Sequence, residues 1–237
     1  MLCTSLLVLG VALAAPAHSP ADKTIGPPAI CFPLDIGEAK SLPWNTGDAF
    51  GALKDYDLGR LVADTVAILD ASDDPLVHME TIRRAALYLE RGKKSGDVVE
   101  KLLAELRRRI VDGELAGVGG TPTAQPVMGL RWFDLGYAQG ALLQMGSLEK
   151  ADPEPALEKA ALLRPGDAAR ELGSALATWG MPGKGKRHLD HLHKAVELAS
   201  PADVRLRRNI LGTAGQILGV EKYEELCPYL ERELAQR

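Results

Sequence analysis

The segments ALEKAALLRPGD (156–167) and HLHKAVELASPAD (191–203) share one organisation, which decides how the chain is interpreted. Each has helical spacing, ends at a proline and continues two residues later with an aspartate. Proline is disfavoured in helix interiors and aspartate favours the N-cap, so each segment predicts one helix end and the next helix start. The two prolines, Pro165 and Pro201, lie 36 residues apart. This period, with two helices per unit, is typical of helical-hairpin repeats.

The tetrapeptide Leu-Gly-x-Ala has nearly the same period. It occurs at residues 135–138, 172–175 and 211–214, with spacings of 37 and 39 residues. Its glycine and alanine are small enough to let paired helices approach closely. The C-terminal half is therefore expected to consist of helical hairpins.

Two further matches resemble the tetratricopeptide repeat. Trp132-x-x-Leu135-Gly136 is similar to the start of that family's first helix, and Ala160, five residues before Pro165, is similar to its second helix and terminal proline. The resemblance covers about residues 130–237, with a spacing longer than the family's 34 residues. It implies a short right-handed solenoid that serves as an interaction scaffold without intrinsic chemistry. The alternative is a chance similarity in a helical chain rich in Ala, Leu and Gly.

The remaining segments predict an arm followed by two helical groups. Prolines recur through residues 18–47, which predicts an extended arm laid across the helical body. Helical periodicity marks an N-terminal group, 48–111, and a C-terminal group, 127–237, while residues 112–126 are rich in Gly and Pro and predict a linker. The expected fold is all-α, with antiparallel helical hairpins or a short TPR-like right-handed solenoid. Sequence alone leaves open whether the two groups share one core.

Composition and the N-terminus limit the class and the compartment. The 237 residues are 46% hydrophobic, 25% charged and 5% aromatic, which excludes disordered, collagen-like and multi-span membrane proteins. The net charge is -4, so the electrostatic field of the chain as a whole does not attract nucleic acid. The apolar run SLLVLGVALAA (5–15), followed by small residues, predicts a signal peptide over 1–17 and a periplasmic or secreted protein without a transmembrane span after cleavage. A buried N-terminal helix is the alternative.

Two cysteines, Cys31 and Cys227, follow the predicted signal peptide. An oxidising compartment would allow them to pair, so a disulfide between the arm and the last helix is predicted. The alternative is two separately buried free thiols, which behave as small hydrophobic side chains.

His188 and His191 are candidate metal ligands. Two histidines three residues apart lie close enough on a helix to share a metal ion. His193 lies on the other side of the buried helix face and is not included in the pair. The alternative is a set of partly exposed polar histidines.

Basic residues near these histidines and in the next helix form a candidate strip for an anionic partner. An anionic polymer would be attracted to it despite the negative chain, although no aromatic residues are present there to stack on nucleic acid bases. The alternative is two solvated helix faces. The members are Lys184, Lys186, Arg187, Lys194, Arg205, Arg207 and Arg208.

The common signatures of hydrolases, zinc proteases and thiol redox proteins are absent from the sequence. Glu80, Asp134 and Glu171 lie beside apolar neighbours, but they are interpreted as surface residues or as members of helical ion pairs, as with Glu80 and Arg84. No catalytic residue and no cofactor are assigned. The first hypothesis is therefore an exported helical-repeat-like module of the cell envelope that binds a protein or peptide or has a structural role.

Two alternatives remain from other functional classes. One is an enzyme that acts on an envelope polymer through a site that sequence spacing does not reveal, and the other is a metal-binding protein that uses the His188/His191 pair. A binding module is expected to have a broad groove, whereas an enzyme is expected to have a deep cleft with converging titratable groups.

Overall fold

The structure is a computed structural model that describes residues 26–45, 50–92, 96–117, 124–181 and 186–236. Within these ranges the chain is helical, with one isolated β-bridge between Trp44 and Ala52 and no strand. The all-α prediction is confirmed, and the predicted signal peptide lies outside the described ranges. The helices are α1 (Pro28–Cys31), α2 (Leu61–Asp70), α3 (Pro75–Arg91), α4 (Gly96–Leu115), α5 (Gln125–Gln144), α6 (Glu154–Leu163), α7 (Ala168–Ala177), α8 (Arg187–Leu198), α9 (Val204–Ile210), α10 (Gln216–Leu218) and α11 (Tyr223–Ala235).

Aspartate N-caps fix the starts of three of these helices. Asp74, Asp167 and Asp203 each accept a hydrogen bond from a backbone N–H in the first turn of α3, α7 and α9, at 2.9–3.0 Å. Each cap satisfies a donor that the helix itself leaves without a partner. The helix starts predicted from the Asp-Pro and Pro-x-Asp patterns are correct.

The inner layer consists of α3, α5 and α7, of which α5 and α7 run parallel. A Cβ atom on Gly173 of α7 would lie 2.4 Å from the ring of Phe133 in α5, and one on Gly140 of α5 would lie 2.5 Å from the carbonyl oxygen of Ala177. The same Gly173 position is 3.1 Å from the sulfur of Met79 in α3. Only glycine permits the three helices to pack this closely.

Antiparallel partners cover this layer, as predicted. Gly136 of α5 packs on Leu157 of α6, where an added Cβ would lie 2.7 Å from the Leu157 side chain. Helix α8 is likewise the antiparallel partner of α7. The two helices are joined where His191 bonds to Glu171. The third copy of the tetrapeptide behaves differently: Gly212 lies in a π-helical turn, Leu211–Gly215, and has open space at its Cβ position.

The two helical groups share one core. Helix α4 continues to Leu115, so the first residues of the predicted linker are helical, and residues 118–123 of that linker lie outside the described ranges. Arg109 of α4 donates to Asp134 of α5 at 2.8 Å, with both side chains buried. A single cluster of buried apolar residues extends from the arm to α11.

The arm, described over residues 26–45, crosses the inner layer as predicted, although it begins with the short helix α1 and is not extended throughout. Buried polar groups of α3 hold it in place: Glu80 accepts from the Leu34 N–H at 3.0 Å, while Arg83 and Arg84 donate to arm carbonyls at 2.9 and 2.7 Å. Helix α1 contacts α3, α5 and α7. The arm therefore covers part of the surface formed by α3, α5 and α7.

The predicted disulfide is wrong. Cys31 and Cys227 are free, half-buried thiols that are not within disulfide distance of each other. The reason is their placement: Cys31 ends α1 beside the inner layer, whereas Cys227 lies on α11, which packs on α8. Among the described residues, no helix combines the length and the apolar character that crossing a membrane requires.

Candidate functional site

A cleft of about 980 Å³ lies where several helices begin. Its wall includes Pro75, Pro126 and Ala168, which stand in the first turns of α3, α5 and α7, and Asp203, the N-cap of α9. Helix N-termini carry partial positive charge. At α3, α7 and α9 the N-cap carboxylates of Asp74, Asp167 and Asp203 offset it. We define the cleft as this cavity between the α2–α3, α6–α7 and α8–α9 loops and the start of α5.

A buried polar chain forms the floor of the cleft. His78 Nδ1 lies 2.6 Å from Asp134 Oδ1, and Arg109 Nη1 donates to the second Asp134 oxygen at 2.8 Å. Arg109 also donates to Asp70 at 2.7 Å, which brings the network to the surface. The side chains of His78, Asp134 and Arg109 are 1%, 0% and 5% exposed. A carboxylate this deeply buried is tolerated because two cationic donors compensate it.

Both ring nitrogens of His78 are engaged. Nε2 lies 2.8 Å from the Ser72 carbonyl oxygen, which only accepts, so this nitrogen carries a proton. Burial lowers the pKa of His78, but the charge of Asp134 and its hydrogen bond outweigh burial, and the net pKa is raised. The imidazolium form satisfies both acceptors. His78 therefore clamps the α2–α3 loop to α5 and has no free nitrogen for proton transfer with a ligand.

Two arginines at the rim tie neighbouring loops together. Arg164 donates to Asp167 at 2.5 Å and to the Asp73 carbonyl oxygen at 3.0 Å, which joins the α6–α7 loop to the α2–α3 loop. Arg205 of α9 donates to Asp74 at 2.5 Å. The cleft is thus bounded by loops whose separation is held by charge-assisted hydrogen bonds.

Among the arginines that line the cleft, Arg131 is the one without a carboxylate partner in the described part of the chain. Its Nη1 donates to the Arg109 carbonyl oxygen at 2.6 Å, while its Nε is buried without a hydrogen-bond partner. Beside it, Val127 and Leu198 line the cleft and remain 46% and 44% exposed. The cleft therefore offers a guanidinium group next to uncovered apolar surface.

The three carboxylates considered from the sequence are buried ion-pair members. Glu80, Asp134 and Glu171 are 1%, 0% and 5% exposed, so their interpretation as surface residues is wrong and their interpretation as ion-pair members is right. Glu171 bonds to His191 at 2.6 Å and accepts from Arg170 at 2.7 Å. Burial raises the pKa of Glu171, but these two partners outweigh it and the net pKa is lowered.

The candidate metal pair is divided between two different partners. His191 Nδ1 faces Glu171, whereas the ring of His188 lies 4.3 Å from the ring of Trp179, measured between centroids. No third ligand group joins the pair among the described residues. Metal binding by His188 and His191 stays a prediction.

The candidate anionic-partner strip is largely offset by acidic side chains. Lys194 is exposed, and Lys184 lies outside the described ranges. The other members have carboxylate partners, which are Glu233 for Lys186, Glu158 for Arg187, Asp74 for Arg205, Glu224 for Arg207 and Asp35 for Arg208. The positive field of the strip is therefore reduced locally, and its binding to an anionic polymer stays a prediction.

Sequence reasoning missed His78, Arg109 and Arg131 as residues of one site. Their meeting depends on contacts between helices that are far apart in the sequence, which spacing does not reveal. The sequence did contain one signal for this site, the aspartate N-caps at Asp74 and Asp167. These residues mark the starts of two helices, and the starts lie together when the helices pack in parallel. No protein-family model matches the chain, and comparison with curated proteins and with solved structures finds no significant similarity.

Proposed function

We propose that the chain is an exported, helical-repeat-like interaction module of the cell envelope, and that its cleft binds a peptide segment bearing a carboxylate. The observation that carries this proposal is Arg131, a cation at a cleft wall without a carboxylate partner among the described residues. Export rests on the apolar run 5–15, which is followed by small residues.

The mixed lining of the cleft supports a peptide as the ligand. Arg131 suits a carboxylate, while Asp73 is exposed and its side chain has no partner among the described residues, so it suits an amine or amide donor. Val127 and Leu198 add apolar surface for a side chain. The cavity volume is at the upper end of the usual range for ligand pockets and suits a segment of a few residues.

The state of the titratable groups favours binding over catalysis. The cleft does gather an acid–histidine pair, which is the feature expected of the alternative, an enzyme acting on an envelope polymer. However, His78 is satisfied at both nitrogens, and Asp74, Asp167 and Asp203 accept N-cap hydrogen bonds. These groups support the walls of the cleft, and a rigid, preorganised wall lowers the cost of binding.

Selection from a displayed random-peptide library tests the proposal. Peptides enriched on the purified chain are expected to carry a carboxylate, and replacing that group by an amide should weaken binding. Arg131→Gln should weaken it by about 10- to 100-fold, because a hydrogen bond to a charged group contributes about 1.5–3 kcal/mol.

Arg107→Gln is the matched control, since Arg107 is exposed on α4 and does not line the cleft. It should leave the affinity unchanged. The proposal is overturned if no peptide is enriched, or if the two arginine variants bind the enriched peptides equally well.

A further inference from the structure

A separate cluster of metal-ligating side chains lies between α8 and α11. His193 Nε2 lies 3.6 Å from Cys227 Sγ, and Cys227 Sγ lies 3.6 Å from Glu231 Oε1. The three ligand atoms all lie within 4.8 Å of one another. His193 and Cys227 are half-buried and Glu231 is exposed, so the cluster is open to solvent on one side.

The two separations that involve sulfur match those of a tetrahedral zinc site. Zinc binds thiolate sulfur at about 2.3 Å, imidazole nitrogen at about 2.0–2.1 Å and carboxylate oxygen at about 2.0–2.2 Å. At the tetrahedral angle, these bond lengths place sulfur about 3.6 Å from the nitrogen and from the oxygen. Both separations in the protein match without any movement of the helices.

A fourth residue, Glu197, lies beside the histidine. Glu197 Oε2 lies 3.5 Å from His193 Nδ1, one helical turn further along α8. Where histidine binds a metal ion through one nitrogen, the other nitrogen usually donates to a carboxylate, which fixes the tautomer and raises the basicity of the ligand. In the tautomer that carries the proton on Nδ1, the lone pair of Nε2 is available to a metal ion beside Cys227.

We propose that His193, Cys227 and Glu231 form a zinc-binding site, with the fourth position taken by water and with Glu197 as a positioning residue. A thiolate, an imidazole and a carboxylate in tetrahedral arrangement favour zinc over the harder ions calcium and magnesium. On binding, the Cys227 thiol gives its proton to solvent and its sulfur forms a bond to zinc, so one proton is released per ion.

The charge of the cluster is consistent with this assignment. Glu231 lies 3.6 Å from the sulfur of Cys227 and Glu197 lies 3.5 Å from His193, so two carboxylates adjoin the cluster. A bound divalent cation would offset the negative charge of the carboxylates and stabilise the thiolate.

The site is independent of the cleft and of the His188/His191 pair. His191 is engaged by Glu171, whereas His193 meets Cys227 on the neighbouring helix α11. A zinc ion here would join α8 to α11 and so fasten the C-terminal helix to the body. Failure of peptide binding at the cleft would leave this inference standing, and the reverse is also true.

Zinc titration of the reduced, chelator-treated chain in the presence of a chromophoric competitor tests the inference. One equivalent should bind. Glu197→Gln should weaken binding by about 10- to 100-fold, as expected for the loss of a carboxylate that supports a histidine ligand. Cys227→Ser and His193→Gln should weaken it further.

Cys31→Ser and His188→Gln are the matched controls and should retain one equivalent. In the cobalt(II) form, a thiolate-to-metal charge-transfer band should be present in Cys31→Ser and absent in Cys227→Ser. If the chain binds no zinc, or if Cys227→Ser retains the wild-type affinity, the inference is overturned, and the Cys227–His193 contact is then only a packing interaction between helices.

A second measurement uses the wild-type chain alone and so remains valid if a variant fails to fold. Zinc should slow the alkylation of Cys227 relative to that of Cys31, as followed by mass spectrometry. Equal slowing at the two cysteines, or none at either, contradicts the site.

Discussion

Replacing Asp134 by Asn tests the buried polar floor of the cleft. The carboxylate is fully buried and accepts from two cations, His78 at 2.6 Å and Arg109 at 2.8 Å. An asparagine side chain has one oxygen and one NH₂ group. In either orientation the NH₂ group faces one of the two cations, and that cation loses its acceptor. Removing one partner from a buried ion pair destabilises a protein by about 3–5 kcal/mol. For a chain of this size, that corresponds to a fall in Tm of about 6–20 °C.

The same substitution changes how stability depends on pH. Because the folded pKa of His78 is raised, its contribution to stability is fully present below the ordinary histidine pKa of about 6.5 and is lost as pH rises through the raised folded value. The free energy of unfolding of the wild-type chain should therefore fall across this window. In Asp134→Asn the fall should be smaller, since the carboxylate that raises the pKa is gone.

Urea unfolding at a series of pH values measures both effects. Asp112→Asn is the matched control, because its partner Arg108 is exposed and a surface ion pair contributes less than about 1 kcal/mol. If Asp134→Asn and Asp112→Asn lose the same stability, or if the pH dependence survives in Asp134→Asn, the described role of the network is incorrect.

The remaining predictions concern packing, the arm and the thiols. Gly140→Ala should destabilise the chain by about 1–3 kcal/mol in urea unfolding, because the added Cβ meets the backbone of α7 at 2.5 Å, whereas Gly212→Ala, in open space, should change stability by about 1 kcal/mol or less. Glu80→Gln should release the arm and make it several-fold more sensitive to limited proteolysis. Thiol titration of the chain denatured without reductant should find both Cys31 and Cys227 free.

Three results would count against these predictions. They are equal stabilities for the two glycine variants, a proteolysis rate in Glu80→Gln no higher than in the half-buried control Glu105→Gln, and recovery of a disulfide-linked peptide containing Cys31 and Cys227.

Local signals predicted the fold because they act within one helix or one turn. Asp74 and Asp167 mark helix starts through hydrogen bonds to their own first turns, and Gly136 permits the close approach of the helix that follows it along the chain. The linker boundary was predicted less well, because the propensity of Gly113 was overridden by packing of α4 on α5, where a Cβ at that position would meet Met128.

The cleft depends on contacts that no local pattern contains. Arg109 and Asp134 are 25 residues apart, and His78 and Asp134 are 56 apart, so their pairing follows only from how α3, α4 and α5 pack. The disulfide prediction failed for the same reason. It depended on the compartment, whereas the packing of the helices decides whether two cysteines meet. Cys227 instead contacts His193, the histidine that helical spacing placed on a different side of the helix from the other two.

Chemical-shift mapping of the labelled chain with a selected carboxylate-bearing peptide tests the central claim most directly. The claim is that the shared N-terminal end of α3, α5 and α7 is the binding surface. Perturbations are expected at Asp73, Val127, Arg131 and Leu198, and they should disappear in Arg131→Gln. Perturbations concentrated on the arm, or at the opposite end of α7 near Trp179, would contradict it.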